Sequence, residues 1–177
     1  MGTACTCQAP VPVQIDKGAT ILSSKDAGQI ILSWTQLADF GDIKELALHF
    51  FEQLFETYPY MEKYFEFTGG KHNPSKKTFK MAVHSLVVMR RMGTFVGYIE
   101  HRPLLVSLME KLARSHIKKG VKCEDMEKFT GVFTTFLVGK VGKPYAQKDV
   151  KEAWERFFSS FLKVYSIIEE ETGTFWI

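Results

Sequence analysis

The chain has few cysteines, no long apolar run and almost no bias of charge, and each shortage removes a class of protein. Three cysteines in 177 residues, with Cys5 and Cys7 only one residue apart, make no disulfide framework and agree with a reducing compartment. No apolar run approaches the roughly 18 to 20 residues that span a bilayer, and no signal-peptide core follows Met1. The folded part is therefore expected to be soluble and intracellular. Net charge is only +3, with basic residues scattered among acidic ones, so no nucleic-acid footprint is indicated. The cysteines and histidines show none of the spacings of zinc proteins, and Gly69-Gly70 opens no phosphate-cradling loop. Cys123 reads as a small buried or half-buried thiol. Sustained apolar–polar alternation is absent too, which leaves an all-α class with six or seven helices and no internal repeat.

What the chain has in plenty is aromatic side chains: 15 Phe, 3 Trp and 6 Tyr. They suit an aromatic core, or a core wrapped around a flat apolar cofactor. Residues 1–22 lack helical period and carry Pro10, Pro12 and Gly18, so they read as an irregular arm before a domain over 23–171 and a short tail, 172–177. The arm opens Met1-Gly2-Thr3-Ala4-Cys5-Thr6, which satisfies the pattern for myristoylation at Gly2. One such chain binds membranes only marginally, and palmitoylation of Cys5 and Cys7 would be the second anchor in an arm without a polybasic patch. A disordered arm with free thiols is the other reading. Dual acylation would place the protein on the cytoplasmic face of the plasma membrane, and its absence in the cytoplasm.

The helices follow from their punctuation. Ser23 with Asp26 reads as a cap, and Ile30, Ile31, Trp34 and Leu37 share a face. A second helix carries Ala47, Phe50, Phe51, Leu54, Phe55 and Tyr58 until Pro59 ends it, and a brief helical turn follows. Asn73-Pro74 opens a third, with Met81, His84, Val88, Met92 and Phe95 on one side and Gly93 and Gly97 weakening its end. Pro103 opens a fourth, whose Leu105, Leu108, Met109, Leu112 and His116 share a face up to Gly120. A fifth spans about Glu124–Val138. The last starts at an Asp149–Glu152 cap pair, and Trp154, Phe157, Phe158, Phe161, Leu162 and Tyr165 give the cleanest period in the chain.

A single inward histidine is more often a core side chain bonded to a carbonyl than a ligand. His84 and His116, however, sit 32 residues apart on consecutive helices, both on faces of Phe, Met, Val and Leu. Neutral imidazole binds iron well, and a haem plane is apolar apart from its propionates.

Over roughly residues 24–171 the chain resembles a globin. Leu112-Ala113-Arg114-Ser115-His116 is similar to the globin segment that carries the proximal haem ligand. Trp34 sits where the first globin helix usually has its Trp. Phe65, six residues beyond Pro59, sits where globins place the Phe that stacks on haem, and Ala153-Trp154 resembles the opening of the last globin helix. The resemblance implies a globin fold of six to eight helices packed around a haem pocket, with haem b as cofactor. It implies His116 as proximal ligand, His84 as distal histidine, Val88 as distal wall and Phe51 above the distal pocket. Leu112, Val121, Met126 and Phe129 would line the proximal and inner sides.

Within the family the chain looks most like neuroglobin, cytoglobin and globin X, in which the distal histidine can itself bind iron. Globin X also has acylated N-termini, which Gly2, Cys5 and Cys7 resemble. Two departures stand out: the stretch from Phe65 to His84 is shorter than in neuroglobin, and Val87 replaces a lysine near a propionate. Lys71, His72, Arg114 and Lys119 are left as candidate propionate partners. The implied function is reversible binding of O2, CO or NO by a haem that is six-coordinate at rest. A redox, sensing or scavenging role at a membrane fits better than bulk oxygen transport, since a tethered protein cannot carry ligand by diffusion. Nitrite reduction or NO dioxygenation with an unnamed reductase, or a haem-free helical interaction module, are the competing readings.

Overall fold

The computed structural model describes residues 22–39, 41–65, 74–142 and 147–174, without the side chains of 74–79 and 174. The acylation motif at Gly2, Cys5 and Cys7, and the propionate candidates Lys71 and His72, lie outside the described residues. Among the described residues six α-helices follow one another: α1 (Ser24–Asp39), α2 (Ile43–Thr57), α3 (Pro74–Gly97), α4 (Arg102–Ile117), α5 (Cys123–Lys140) and α6 (Gln147–Thr174). A 3-10 segment, Pro59–Phe65, stands between α2 and α3, and no strand occurs among the described residues.

Local chemistry sets the boundaries. Ser23 and Asp26 cap α1 reciprocally: the Asp26 N–H donates to Ser23 Oγ and the Ser23 N–H to Asp26 Oδ2, both at 3.1 Å. Asp42 caps α2 by accepting from the Lys44 N–H at 2.8 Å. The Tyr58 N–H closes α2 on the Leu54 carbonyl at 2.8 Å, and Pro59, with no donor, diverts the chain into the 3-10 segment. At the far end, α6 runs to Thr174, past the expected boundary at 171, and it begins at Gln147. Asp149 is consequently inside the first turn instead of capping it, where its charge suits the helix end and meets Lys25 at 3.2 Å.

The core is built on α6, which packs against α1, α4 and α5. Trp154 is fully buried, and its indole N–H donates to Ser33 Oγ of α1 at 3.0 Å. On the other side Phe50 of α2 meets Phe129, Phe133 and Phe136 of α5 edge-on, with centroids 5.1–5.5 Å apart. The helix α3 runs through Gly93 and ends at Gly97, and the Trp34 indole packs against Gly93, with Nε1 3.3 Å from where a Cβ would stand. The expected α3 face stays together, with His84, Val88, Met92 and Phe95 on one cavity, and a second stripe of Ser85, Met89 and Val96 is buried beside it; the expected α4 face divides, Leu105 and Met109 being buried in the core while Leu112 and His116 face the same cavity.

Candidate functional site

The two cavity-facing strips of α3 and α4 enclose a space of about 300 Å³, closed by α2, the 3-10 segment and the start of α5. His84, His116, Phe51, Phe65, Val88, Leu112, Val121, Met126 and Phe129 all line it. The side chains singled out in the sequence for one pocket are therefore brought together, although they come from five separate elements and the link between α4 and α5.

His116 stands one residue before the end of α4, and the chain beyond is pinned. Gly120, at φ +79°, turns the backbone so that the Val121 N–H donates to the His116 carbonyl at 3.1 Å. From α6 the Tyr165 hydroxyl donates to the Val121 carbonyl at 2.7 Å. The ring is fixed as well, since its Nδ1 lies 3.0 Å from the Leu112 carbonyl. A carbonyl only accepts, so Nδ1 carries the proton and Nε2 keeps its lone pair for the cavity. Burial holds the ring below its ordinary pKa despite the Leu112 bond, which works the other way, and the Lys119 ammonium adds to the depression.

Opposite on the sequence, His84 is wedged between two phenyl rings, Phe51 at 5.7 Å and Phe65 at 5.0 Å, both edge-on. Burial, reinforced by His116 and Lys119, pushes it down to about 4. Both imidazoles are neutral at pH 7, the state in which they bind a metal. Among the described residues no group of three or more His, Cys, Asp or Glu is arranged to hold a metal ion. The two neutral imidazoles are the nitrogens this cavity offers, and they suit iron carried in a macrocycle.

The rim answers a question the sequence left open. Arg114 points away from the cavity and pairs with Glu171 at 3.3 Å. Lys119 lines the cavity, and so does Arg91, two turns after His84 on the same face of α3. Both are exposed at the surface, and they could meet the carboxylates of a haem. Val87, 48% exposed, lies on the same rim and leaves the cation to Arg91. Arg91 was legible in principle from its offset. Tyr64 and Asp125, which also line the cavity, had no signal at all, being 61 residues apart in sequence.

A family model described as Globin matches residues 48–165. The chain belongs to the globin family. A globin of Buccinum undatum is 31% identical over 76% of this chain and 92% of its own length, and a globin of Tritia mutabilis is 30% identical over the same shares. In fold the chain is similar to a double mutant of the myoglobin of Aplysia limacina, with a TM-score of 0.70 at 22% identity over 82% of this chain and 97% of that one. As a globin it is a haem protein of a family that binds gaseous ligands such as O2, and the apolar cavity with two neutral imidazoles and a basic rim fits that cofactor. The relatives are molluscan globins, which gives no support to the neuroglobin, cytoglobin and globin X subgroup.

Proposed function

We propose that this globin holds haem b between His116 and His84, is six-coordinate at rest, and exchanges the His84 side for O2, CO or NO in a redox, sensing or scavenging role. The observation that carries this reading is the pair of uncharged imidazoles lining one apolar cavity, independently of any subgroup of the family. The haem supplies an iron that takes a gaseous ligand and changes oxidation state. His116 would supply Nε2 as the fixed donor, its tautomer set by the Leu112 carbonyl. Leu112, Val121, Met126 and Phe129 line the cavity and would keep water off the cofactor, and Arg91 and Lys119 on its rim would meet the carboxylates. His84 has two incompatible tasks: it donates its Nε2 lone pair to the metal, or it keeps a proton there for a polar ligand. Phe51 and Phe65 limit how far its ring can swing between them.

The experiment is an absorption spectrum of the ferric, ferrous and CO-treated protein. The reading expects a Soret band, a low-spin ferrous form and displacement by CO, and purified protein without a Soret band after haem addition would contradict it. The arm belongs to the same proposal: acylation at Gly2, Cys5 and Cys7 would put the globin at the cytoplasmic face of the plasma membrane. Its support is the Gly2 pattern with two nearby thiols. Fractionation of cells expressing wild type and Gly2→Ala should move the variant to the soluble fraction, and equal distributions would remove the membrane role.

A further inference from the structure

One cluster on the cavity wall is not used by the haem reading above. Tyr60 and Tyr64, four residues apart in the 3-10 segment, both donate their hydroxyls to Asp125 in the first turn of α5, at 2.6 Å and 2.5 Å. Asp125 is buried and, with Tyr64, lines the cavity. Tyr60 is 42% exposed at the surface, and its oxygen accepts from Lys128 Nζ at 3.1 Å. The chain Tyr64, Asp125, Tyr60, Lys128 is therefore hydrogen-bonded without a break from cavity to solvent. Charges crowd the phenols: Lys63 Nζ lies 5.1 Å and 4.7 Å from the ring centres of Tyr60 and Tyr64, Lys128 Nζ lies 5.3 Å from that of Tyr60, and Glu124 pairs with Lys128 at 3.2 Å.

Such an arrangement favours one chemistry. The ammonium groups over the rings disfavour a positive charge on either phenol, so an electron can leave only if the proton leaves with it. A carboxylate that already accepts both O–H bonds is a ready base for that proton. We propose that Tyr64, Asp125 and Tyr60 form a one-electron relay between the haem and the surface, fed by a small phenol-class reductant at Tyr60 and drawn on by a hydroperoxide consumed at the haem. This rests on the haem reading above. The balance closes: H2O2 takes two electrons and two protons to become two waters, and Tyr64 and Tyr60 each give one electron and one proton as their O–H bonds become phenoxyl oxygens. The protons pass through Asp125 Oδ. Two reductant molecules then return one hydrogen atom each to the pair.

The test uses haem-loaded protein mixed with one equivalent of H2O2, freeze-quenched for electron paramagnetic resonance, and in parallel spin-trapped and mapped by peptide mass. The expected results are a tyrosyl radical and an adduct on Tyr60, loss of that adduct in Tyr60→Phe, and a severalfold fall at Tyr60 in Tyr64→Phe. Asp125→Asn should lower it severalfold and Asp125→Glu restore it, with the Soret band as in wild type. In haem-free protein, ultraviolet titration of the phenols should show two of them ionising earlier in Asp125→Asn than in wild type. An adduct on another tyrosine, an undiminished yield in Tyr64→Phe, or an unchanged titration in Asp125→Asn overturns the relay while a normal Soret band leaves the haem reading standing. An absent Soret band overturns both.

Discussion

His84 and His116 share a cavity but not a constraint. His116 is locked by the Leu112 carbonyl to one tautomer, whereas His84 has only aromatic edges around it and no polar anchor among the hydrogen bonds described. The ring that is free to change partner is thus His84. Substituting it by Leu keeps an apolar side chain of comparable bulk in the cavity and removes the second nitrogen, while His116 still retains haem. The ferrous absorption spectrum should change from six-coordinate low-spin to five-coordinate high-spin, and an unchanged low-spin spectrum in His84→Leu would sink the assignment of the sixth ligand. Both histidines were readable from sequence because imidazole is rare on an apolar stripe and the helical offset fixed its direction. Arg91 obeys the same offset, yet beside Arg90 it looks like any solvated charge on a helix. Asp125 was beyond reach, since its two phenol partners meet it only after the 3-10 segment folds against α5. Burial raises its pKa, but those two hydrogen bonds and the neighbouring lysines outweigh burial and keep the carboxyl below its ordinary value.

At the scale of the helices, the closure of α1 on α6 shows where local reading succeeds and where it stops. The Ser23–Asp26 cap was legible because it spans three residues. Its continuation was not: Arg156 of α6 reaches back across 130 residues and donates from Nε and Nη2 to Asp26 Oδ1, at 3.1 Å and 2.7 Å. The Arg156 hydrogen bonds hold the Asp26 carboxyl below its ordinary value, against burial, and the Ser23 backbone N–H helps. A carboxyl depressed in the folded state stabilises the fold fully above its unfolded pKa of about 4 and loses that contribution as pH falls through the folded value. Arg156→Met should therefore melt below wild type at pH 7, with the gap narrowing near pH 3. An equal gap at both pH values, measured by thermal unfolding of the haem-free proteins, would show that the pair acts through packing alone. Arg156 is half exposed, so the effect at neutral pH is expected to be small. Gly93 teaches the converse lesson. Read locally it only weakens the end of α3; in the fold its missing Cβ is the space the Trp34 indole uses.

Taken whole, the molecule is a helical shell whose core is dense around Trp154, Phe157 and Tyr165 and interrupted by the cavity of about 300 Å³ between His84 and His116. Sequence periodicity marked every helix of that shell, because each must bury one stripe. It did not separate the stripe that meets other helices from the stripe that meets the cavity, since both are apolar. That distinction has a thermodynamic consequence. Leu112, Val88 and Phe129 line the cavity, so a flat apolar group seated there would add dispersion contacts to theirs. A group that binds the folded chain and not the unfolded one stabilises it by mass action, by about 2.7 kcal/mol when its free concentration is 100 times its dissociation constant. For a domain of this size each kcal/mol raises the midpoint by roughly 2–4 °C, so haem at that excess should raise the melting temperature by about 5–10 °C. The shift should persist in His84→Leu, which keeps the apolar walls and His116, and shrink in His116→Ala, which loses the fixed donor. Differential scanning calorimetry of the three proteins with and without haem measures this directly. If the shift survives in His116→Ala as well, apolar contact alone retains the cofactor and His116 is not its anchor.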